Sequence, residues 1–288
     1  MAGRHARINP IATILRFLLI LALAFLLLWP LIEPHTLQVE QTTVTISTLP
    51  ATVGQLKIVY CSDIHLGNFP FFTKSQLNSL VRKINSLAAD IVILGGDYAD
   101  NTEEAISFFL QLPSIRANYG VYAVLGENDR EDISNEASSQ LRAAMIAAGV
   151  TPLINSVANI RIGKNDIYLA GLDDIANGTP RLSTLASSVS QDDFVVFVCH
   201  NPAIISEAML STDSSGRINW FDLGLFGHTH GGQVPLVSSL LGLSEDDRCG
   251  WLSENRIPML ISKGIGTKGL PIRFFRSPTI HVIDIRSK

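Results

Sequence analysis

The stretch Leu56–His65, which reads LKIVYCSDIH, guides the interpretation of the whole chain. It begins as a short apolar run after Gly54, which is typical of a strand that is buried on both faces. The run ends in Asp63 and His65, two residue types that commonly bind metal ions. The pattern therefore predicts a buried strand whose carboxyl end presents polar side chains at the edge of a sheet.

Four more apolar runs are followed directly by polar residues in the same way. The runs are Ile91–Leu94, Val121–Leu125, Phe194–Cys199 and Leu223–Phe226. The residues that follow them are Gly95-Gly96-Asp97, Gly126-Glu127-Asn128-Asp129, His200-Asn201-Pro202 and Gly227-His228-Thr229-His230-Gly231-Gly232. One such motif alone is usually a solvated loop or a turn, but five in one chain predict a shared site. Mixed carboxylate and imidazole ligands suit divalent Mn, Fe, Zn or Ni rather than a cysteine-rich structural zinc site.

Helices alternate with strands in the first half of the chain, and strands dominate the second half. Helices are predicted at Thr73–Ala89, Thr102–Leu112, Asn135–Ala148 and Pro202–Leu210. Further strands are predicted at Val39–Ser47, Ile160–Ile162, Ile167–Ala170, Ile257–Ser262, Ile272–Phe275 and Ile280–Ile285. We expect an α/β fold in which two mixed sheets, flanked by helices, form a four-layer αββα sandwich.

Composition excludes nucleic acid as the expected main partner. The 288 residues carry a formal net charge of -4, and the body of the chain has no long Lys/Arg block that could follow a phosphate backbone. Residues 36–288 are long enough to form one large domain with a full core.

Residues 1–35 contain the apolar run Ile11–Ile32, in which Arg16 is the only charged residue. The run has about the ~20 residues needed to span hydrocarbon. We expect an uncleaved single-pass anchor in the cell membrane, because no small-x-small cleavage site follows Leu28. A cleaved signal peptide and a buried helix of a soluble protein are the alternatives. Arg4 and Arg7 favour a cytoplasmic N-terminus, with the catalytic domain on the far side of the membrane.

The five motifs together resemble the calcineurin-like metallophosphoesterase superfamily over roughly Leu56–Ile285. The segments Ser262–Gly266 and Leu270–Arg273 resemble one branch of small membrane-anchored bacterial phosphoesterases, which includes UDP-2,3-diacylglucosamine pyrophosphatases. The resemblance implies hydrolysis of a phosphoester or pyrophosphate bond by a hydroxide that two metal ions activate. It also implies manganese, with iron, zinc, nickel or magnesium as alternatives, and a phosphorylated, lipid-linked small-molecule substrate.

The resemblance assigns the ligands by position. Asp63, His65 and His230 would hold the first ion, and His200 and His228 the second, together with a residue of the Gly126 loop. Asp97 would bridge both ions. The two glycines after the last histidine, Gly231 and Gly232, are expected to contact the substrate.

The Gly126–Asp129 loop departs from the family pattern, which is Gly-Asn-His followed by Asp or Glu. Aligned without a gap, Glu127 becomes the metal ligand and Asn128 replaces the histidine that contacts phosphate and protonates the leaving group. Shifted by one residue, Asn128 becomes the ligand and Asp129 takes the catalytic role. Asn cannot act as a general acid, so a substrate with a good leaving group is expected.

Two further segments allow two interpretations each. Leu236–Leu243 can be a lip beside the site that contacts lipid, or part of the core. Asp173-Asp174 can reach the site, but a turn is the favoured interpretation.

Overall fold

Twelve strands form two six-stranded sheets in a computed structural model that describes residues 10–67, 73–132, 134–234 and 247–288. The strands are β1 (Gln38–Thr45), β2 (Gln55–Cys61), β3 (Ile91–Leu94), β4 (Val121–Ala123), β5 (Val150–Pro152), β6 (Ser156–Ile162), β7 (Asn165–Gly171), β8 (Phe194–Val198), β9 (Leu223–Phe226), β10 (Gly250–Glu254), β11 (Ile257–Ile261) and β12 (Thr279–Arg286). The helices are α1 (Pro10–Ile32), α2 (Lys74–Ser86), α3 (Thr102–Gln111), α4 (Asn135–Ala147), α5 (Leu182–Ala186) and α6 (Ile205–Leu210).

The first sheet has the order β1-β12-β2-β3-β4-β5. Strands β2 to β5 are parallel, and their register places Cys61 opposite Leu94 and Leu94 opposite Ala123. Their carboxyl ends are therefore level, and the loops that follow them lie side by side. At the other side of β2, strand β12 is antiparallel to it and β1 is parallel to β12.

The second sheet has the order β10-β11-β9-β8-β7-β6. Its central strands β7, β8, β9 and β11 are parallel, whereas the edge strands β6 and β10 are antiparallel to their neighbours. Both sheets are thus mixed, as the sequence predicted.

Three apolar clusters separate the layers. The middle cluster contains residues of both sheets, such as Ile58 and Leu225. A second cluster packs the outer face of the first sheet against α2, α3 and α4 through residues such as Leu80 and Phe108. A third packs the second sheet against α5 and α6 through residues such as Ala208. The order helix, sheet, sheet, helix confirms the four-layer α/β fold.

Polar caps begin the helices of the first sheet. Asn101 Oδ1 accepts a hydrogen bond from Glu104 N at the start of α3, and Thr73 forms a capping box with Gln76 at the start of α2. These caps satisfy amide groups that have no partner inside the helix. They also fix where the helices begin, directly after the loops that leave β2 and β3.

The prediction of a strand at Ile272–Phe275 is wrong. The segment is irregular because the buried Arg273 guanidinium donates to three main-chain carbonyl groups, those of Lys263, Gly266 and Arg276. The short elements β5, β10 and α5 were not predicted, since none has a long apolar pattern.

Helix α1 is long and apolar enough to cross a membrane by length and composition, and it has no buried residue. A helix buried in a soluble core would be covered by other elements, so that alternative disagrees with the structure. The basic residues Arg4 and Arg7 and the segment Leu236–Leu243 lie outside the described residues. The division into an anchor at 1–35 and a domain at 36–288 stays a prediction.

Candidate metal centre

The loops after β2, β3, β4, β8 and β9 bring eight polar residues together at one edge of the two sheets. They are Asp63, His65, Asp97, Glu127, Asn128, His200, His228 and His230. All eight were proposed as metal ligands from the sequence.

One group of donors consists of Asp63, His65 and His230. Their ligand atoms lie within 4.8 Å of one another, and all three residues are buried. Two hydrogen bonds orient the Asp63 carboxylate, one from Ser62 Oγ to Oδ2 at 2.5 Å and one from His228 N to Oδ1 at 2.9 Å. This group can hold one divalent ion.

A second group consists of Glu127, His200 and His228, whose ligand atoms also lie within 4.8 Å of one another. Glu127 Oε2 lies 2.7 Å from His228 Nδ1 and 3.3 Å from His200 Nε2. Glu127 is therefore the residue of this loop whose carboxylate lies beside both histidines and could hold an ion with them. The geometry favours the alignment without a gap.

Asp97 lies between the two groups. Its Oδ2 is 3.3 Å from His200 Nε2 and 3.7 Å from His65 Nε2, and it forms a third potential ligand group with Asp63 and His200. Asn128 contacts this carboxylate, since its Nδ2 donates to Asp97 Oδ2 at 2.8 Å and its main-chain N to Oδ1 at 3.1 Å. Asp97 is placed to bridge two ions, with the Asn128 amide beside the bridge.

The histidine rings test whether these residues fit metal ions. The Nε2 atoms of His65, His200 and His230 are buried and have no hydrogen-bond partner among the described residues. Such an unpaired group costs about 1–3 kcal/mol, which a metal ion would remove by accepting its lone pair. His65 Nδ1 lies 2.8 Å from Asp100 Oδ1, and His200 Nδ1 lies 2.7 Å from the Gly95 carbonyl oxygen. These partners place the proton of His65 and His200 on Nδ1 and leave Nε2 to bind metal, so these two rings fit divalent cations.

Several pKa values in the cluster are shifted by burial and by three close carboxylates, those of Asp63, Asp97 and Glu127. Burial alone would lower the pKa of His200, but the neighbouring Asp97 and Glu127 outweigh burial and raise that pKa well above its usual value. For His230, burial and the nearby His65 and Arg273 lower the pKa well below its usual value. Burial raises the pKa of Asp63. A site with this density of buried acids favours a multivalent cation.

Five of the ligand residues have a left-handed backbone conformation. Their φ angles are 53° for Asp63, 46° for His65, 56° for Asp97, 73° for His228 and 50° for His230. Non-glycine residues in this region cost of order 1 kcal/mol or more each, and such residues cluster at functional sites. The surrounding structure therefore holds these loops in a conformation that they would not adopt alone.

Asp129 lies outside the cluster of donor atoms. It is fully buried, and its carboxylate accepts hydrogen bonds from the main-chain N of Asp97, Tyr98 and Gly126 at 2.8, 3.0 and 2.9 Å. A catalytic role for Asp129 stays a prediction, and in this position three amide groups cover its carboxylate. The carboxylate ties the Asp97 loop to the Gly126 loop.

The glycines proposed to bind substrate lie in the turn that follows His230. Gly231 is buried, its carbonyl oxygen accepts a hydrogen bond from Arg276 Nε at 2.6 Å, and a Cβ atom would lie 2.8 Å from Arg276 Cδ. Gly232 is partly exposed at the end of the same turn. Contact of these two residues with substrate stays a prediction.

Two basic residues of the site were missed at the sequence level. Lys268 Nζ donates to Glu127 Oε1 at 2.9 Å, and Arg273 Nη2 lies 3.4 Å from His230 Nδ1. Both come from one loop before β12, far in sequence from the ligands that they contact. Arg273 is fully buried, and no local pattern distinguishes it from a surface arginine.

Asp173 and Asp174 form the expected turn, but the turn supports the site. Asp174 Oδ2 accepts from Asn177 N at 2.6 Å, and Asn177 Nδ2 donates to the Glu127 carbonyl oxygen at 2.9 Å. Asp173 pairs with Arg130 at 2.8 Å. The turn therefore holds the loop that carries Glu127.

Comparison with known proteins agrees with this geometry. Residues 56–232 match the calcineurin-like phosphoesterase family model. The chain is 27% identical to the uncharacterized metallophosphoesterase YkuE of Bacillus subtilis over 266 residues, which cover 89% of this chain and 88% of that protein. It is 29% identical to an uncharacterized metallophosphoesterase of Aquifex aeolicus, with coverage of 89% and 95%.

A further relative is a mammalian protein. The chain is 28% identical over 214 residues to a transmembrane protein with metallophosphoesterase domain of Bos taurus, which covers 68% of this chain and 45% of that protein. The matched model spans more than half of the chain and includes all eight residues of the metal centre. The chain is a metal-dependent phosphoric ester hydrolase that belongs to the calcineurin-like phosphoesterase family.

Proposed function

We propose that the enzyme uses two divalent ions, manganese in the first place, to cleave a phosphoester or pyrophosphate bond of a lipid-linked substrate held in the membrane. A UDP-diacylglucosamine is an example of such a substrate. The two donor groups joined through Asp97 are the observation that carries the proposal. The exposed apolar helix α1 supports a membrane location. We place the N-terminus in the cytoplasm and the metal centre on the far side, because the basic residues Arg4 and Arg7 precede the helix.

Each residue of the centre has a proposed role. Asp63, His65 and His230 would hold one ion, Glu127, His200 and His228 would hold the other, and Asp97 would be shared between them. When bound, the ions polarise the phosphoryl group and activate water for in-line attack on phosphorus. The Asn128 amide donates a hydrogen bond to a phosphoryl oxygen, which orients the group.

The leaving group limits the choice of substrate. Asn128 cannot donate a proton as a general acid, and losing such an acid costs typically 10²–10⁴ in rate. A phosphate monoester that leaves in pyrophosphate cleavage is a weak base and needs little protonation. The proposal therefore favours a pyrophosphate or an activated phosphodiester.

Metal analysis combined with activity tests this proposal. The purified full-length chain in detergent should bind about two manganese ions and hydrolyse an aryl phosphodiester, and Asp97→Asn should abolish hydrolysis and lower the metal content. Asp166→Asn, near the start of β7 and far from the donor groups, is the matched control; Asp166 pairs only with the exposed Arg161 among the ion pairs of the described residues. Full activity of the Asp97→Asn variant would contradict the proposal. A panel of nucleotide-linked lipids, phospholipids and soluble nucleotides then tests the lipid-linked substrate against a soluble phosphodiesterase activity.

A catalytically impaired metal-binding module is the second candidate. The substitution of Asn128 for a histidine favours it, because that loop normally supplies the acid. The same experiment separates the two, since such a module would bind manganese without turning over any member of the panel.

A further inference from the structure

The topology places α1 at the same end of the first sheet as the metal centre. Strand β12 runs antiparallel to β2 with His281 opposite Tyr60, so β12 begins where β2 ends. Strand β1 is parallel to β12, with Gln38 opposite Thr279. The chain thus leaves α1 and enters the sheet level with the loop that carries Asp63.

Hydrogen bonds join the end of α1 to the segment 263–278, which we name the rim loop. Arg273 N donates to the Pro30 carbonyl oxygen at 3.0 Å. Glu33 is buried, and its carboxylate accepts from Phe275 N at 2.7 Å and from Ser277 Oγ at 2.9 Å. These contacts fix the rim loop against the point where the apolar helix ends.

The rim loop also forms one wall of the metal centre. Gly266 N donates to the Asp63 carbonyl oxygen at 2.6 Å, and Lys268 contacts Glu127. A Cβ atom on Gly266 would overlap the Ile64 carbonyl oxygen, so the rim loop lies directly against the loop that carries Asp63 and His65. The rim loop therefore contacts both the end of α1 and the residues of the metal centre.

The composition of the rim loop suits a lipid surface. Leu270 and Phe275 are 67% and 63% exposed, and the whole segment contains two lysines and two arginines but no Asp or Glu. All four have partners within the protein: Arg273 is buried, Lys263 pairs with Glu40, Lys268 pairs with Glu127, and Arg276 donates to the Gly231 carbonyl oxygen. Apolar side chains beside basic ones are typical of segments that lie in a membrane interface.

We propose that the rim loop rests on the lipid bilayer, with Leu270 and Phe275 inserted at the interface beside α1. The metal centre then opens against the membrane surface, where the head group of a lipid-linked substrate lies. The contact with the bilayer follows from the position of α1 and the rim loop, whereas the lipid-linked substrate rests on the proposed function.

Spin labels measure this contact directly. Full-length chains carrying Leu270→Cys or Phe275→Cys are labelled in a Cys249→Ser background, because Cys61 and Cys199 are buried. They are placed in phosphatidylcholine vesicles with or without phosphatidylglycerol. Controls are Leu110→Cys and Ile146→Cys, which are 69% and 57% exposed near the ends of α3 and α4, and these helices run back from the metal centre.

The expected result is an oxygen-to-nickel-chelate accessibility ratio at positions 270 and 275 severalfold above that of both controls. Ratios equal to those of the controls in both vesicle types would overturn the proposal. A ratio that rises only with phosphatidylglycerol supports it and assigns the contact to anionic lipid.

Activity separates the bilayer contact from the choice of substrate. A Leu270→Ser/Phe275→Ser variant should lose roughly ten-fold or more of its rate on a phospholipid-linked substrate in vesicles, because two apolar groups no longer enter the interface. Its rate on a soluble aryl phosphodiester should stay unchanged. Interfacial spin labels without turnover of any lipid substrate would refute the proposed substrate and leave the rim loop's contact standing.

Discussion

At the scale of single residues, the centre depends on a few atoms that leave no room for change. Gly126 is an example, because a Cβ atom there would overlap Oδ1 of Asp97, whose carboxylate lies between the two donor groups. Asn128 is another, since both its side-chain and main-chain N donate to the Asp97 carboxylate. We expect changes at Gly126 to act on metal binding and changes at Asn128 to act on the choice of bond that is cleaved.

Gly126→Ala should displace Asp97 and lower the bound manganese below two ions per chain. A shift of about 1 Å in such a group costs roughly 10²-fold in rate. Metal analysis and hydrolysis of an aryl phosphodiester measure both effects. Gly163→Ala is the control, because a Cβ atom there has no heavy atom within 4 Å; its φ of 62° lowers stability but leaves the metal centre untouched. Normal metal content in the Gly126→Ala variant would show that Asp97 can move without loss.

Asn128→His should restore a proton donor beside Asp97. We expect a gain of roughly 10²-fold on an alkyl phosphodiester, whose leaving group needs a proton, and little change on a nitrophenyl ester. The measurement is the ratio of kcat/KM for the two substrates. An unchanged ratio would show that leaving-group protonation does not limit this enzyme.

At the scale of elements, parallel strands explain why so much of the centre was predictable. An apolar run followed by Asp, His or Gly marks a strand end, and level strand ends bring those residues together. The rim loop was not predictable in the same way. The residue types of Ile272–Phe275 are those of a strand. The buried Arg273 side chain, however, donates hydrogen bonds to main-chain carbonyl groups of the rim loop, and these bonds take the place of pairing with a neighbouring strand. Glu33 was missed because an acid after an apolar helix usually faces water.

Glu33→Ala should loosen the rim loop, because Phe275 N and Ser277 Oγ lose their acceptor. A buried donor without a partner costs about 1–3 kcal/mol. Thermal unfolding followed by circular dichroism in mild detergent should show a lower Tm, and limited proteolysis should cut the rim loop faster. Glu136→Ala, at an exposed position in α4, is the control. Equal Tm and cleavage for both variants would mean that Glu33 does not hold the loop.

At the scale of the whole molecule, polar contacts join the two sheets away from the metal centre as well as within it. Asp222, just before β9, makes such contacts. Thr48 Oγ1, from the loop between β1 and β2, donates to its Oδ1 at 2.5 Å, and Val195 N of β8 donates to its Oδ2 at 2.8 Å. Burial raises the pKa of Asp222 to about 6. The folded chain therefore takes up a proton at this position at a higher pH than the unfolded chain does.

This shift gives a defined pH dependence of stability. Because the folded pKa is raised, the contribution of Asp222 is fully present below about pH 4 and is lost as pH rises to about 6. Asp222→Asn cannot titrate there. Relative to wild type, the variant should gain roughly 2–3 kcal/mol in unfolding free energy across that range. Thermal unfolding at several pH values measures the gain, with Asp166→Asn as the control. If the difference in unfolding free energy between wild type and Asp222→Asn did not change with pH, the raised pKa of Asp222 would be contradicted.

The fold as a whole was predictable from alternating helices and strands, but the relation between helix α1 and the metal centre was not. That relation depends on β1 pairing with β12, two strands about 240 positions apart in the chain. Sequence periodicity identifies each strand but does not determine which distant strand lies beside it.

Helix α1 and the metal centre lie at the same end of the first sheet, and this placement has a consequence for the kinetics of the enzyme. For a lipid-linked substrate, enzyme and substrate meet by lateral diffusion within one surface rather than by diffusion through a volume. The mole fraction of substrate among the other lipids then sets the turnover rate. Diluting the vesicles with buffer should leave the rate per enzyme unchanged, while adding inert lipid to the same vesicles should lower it.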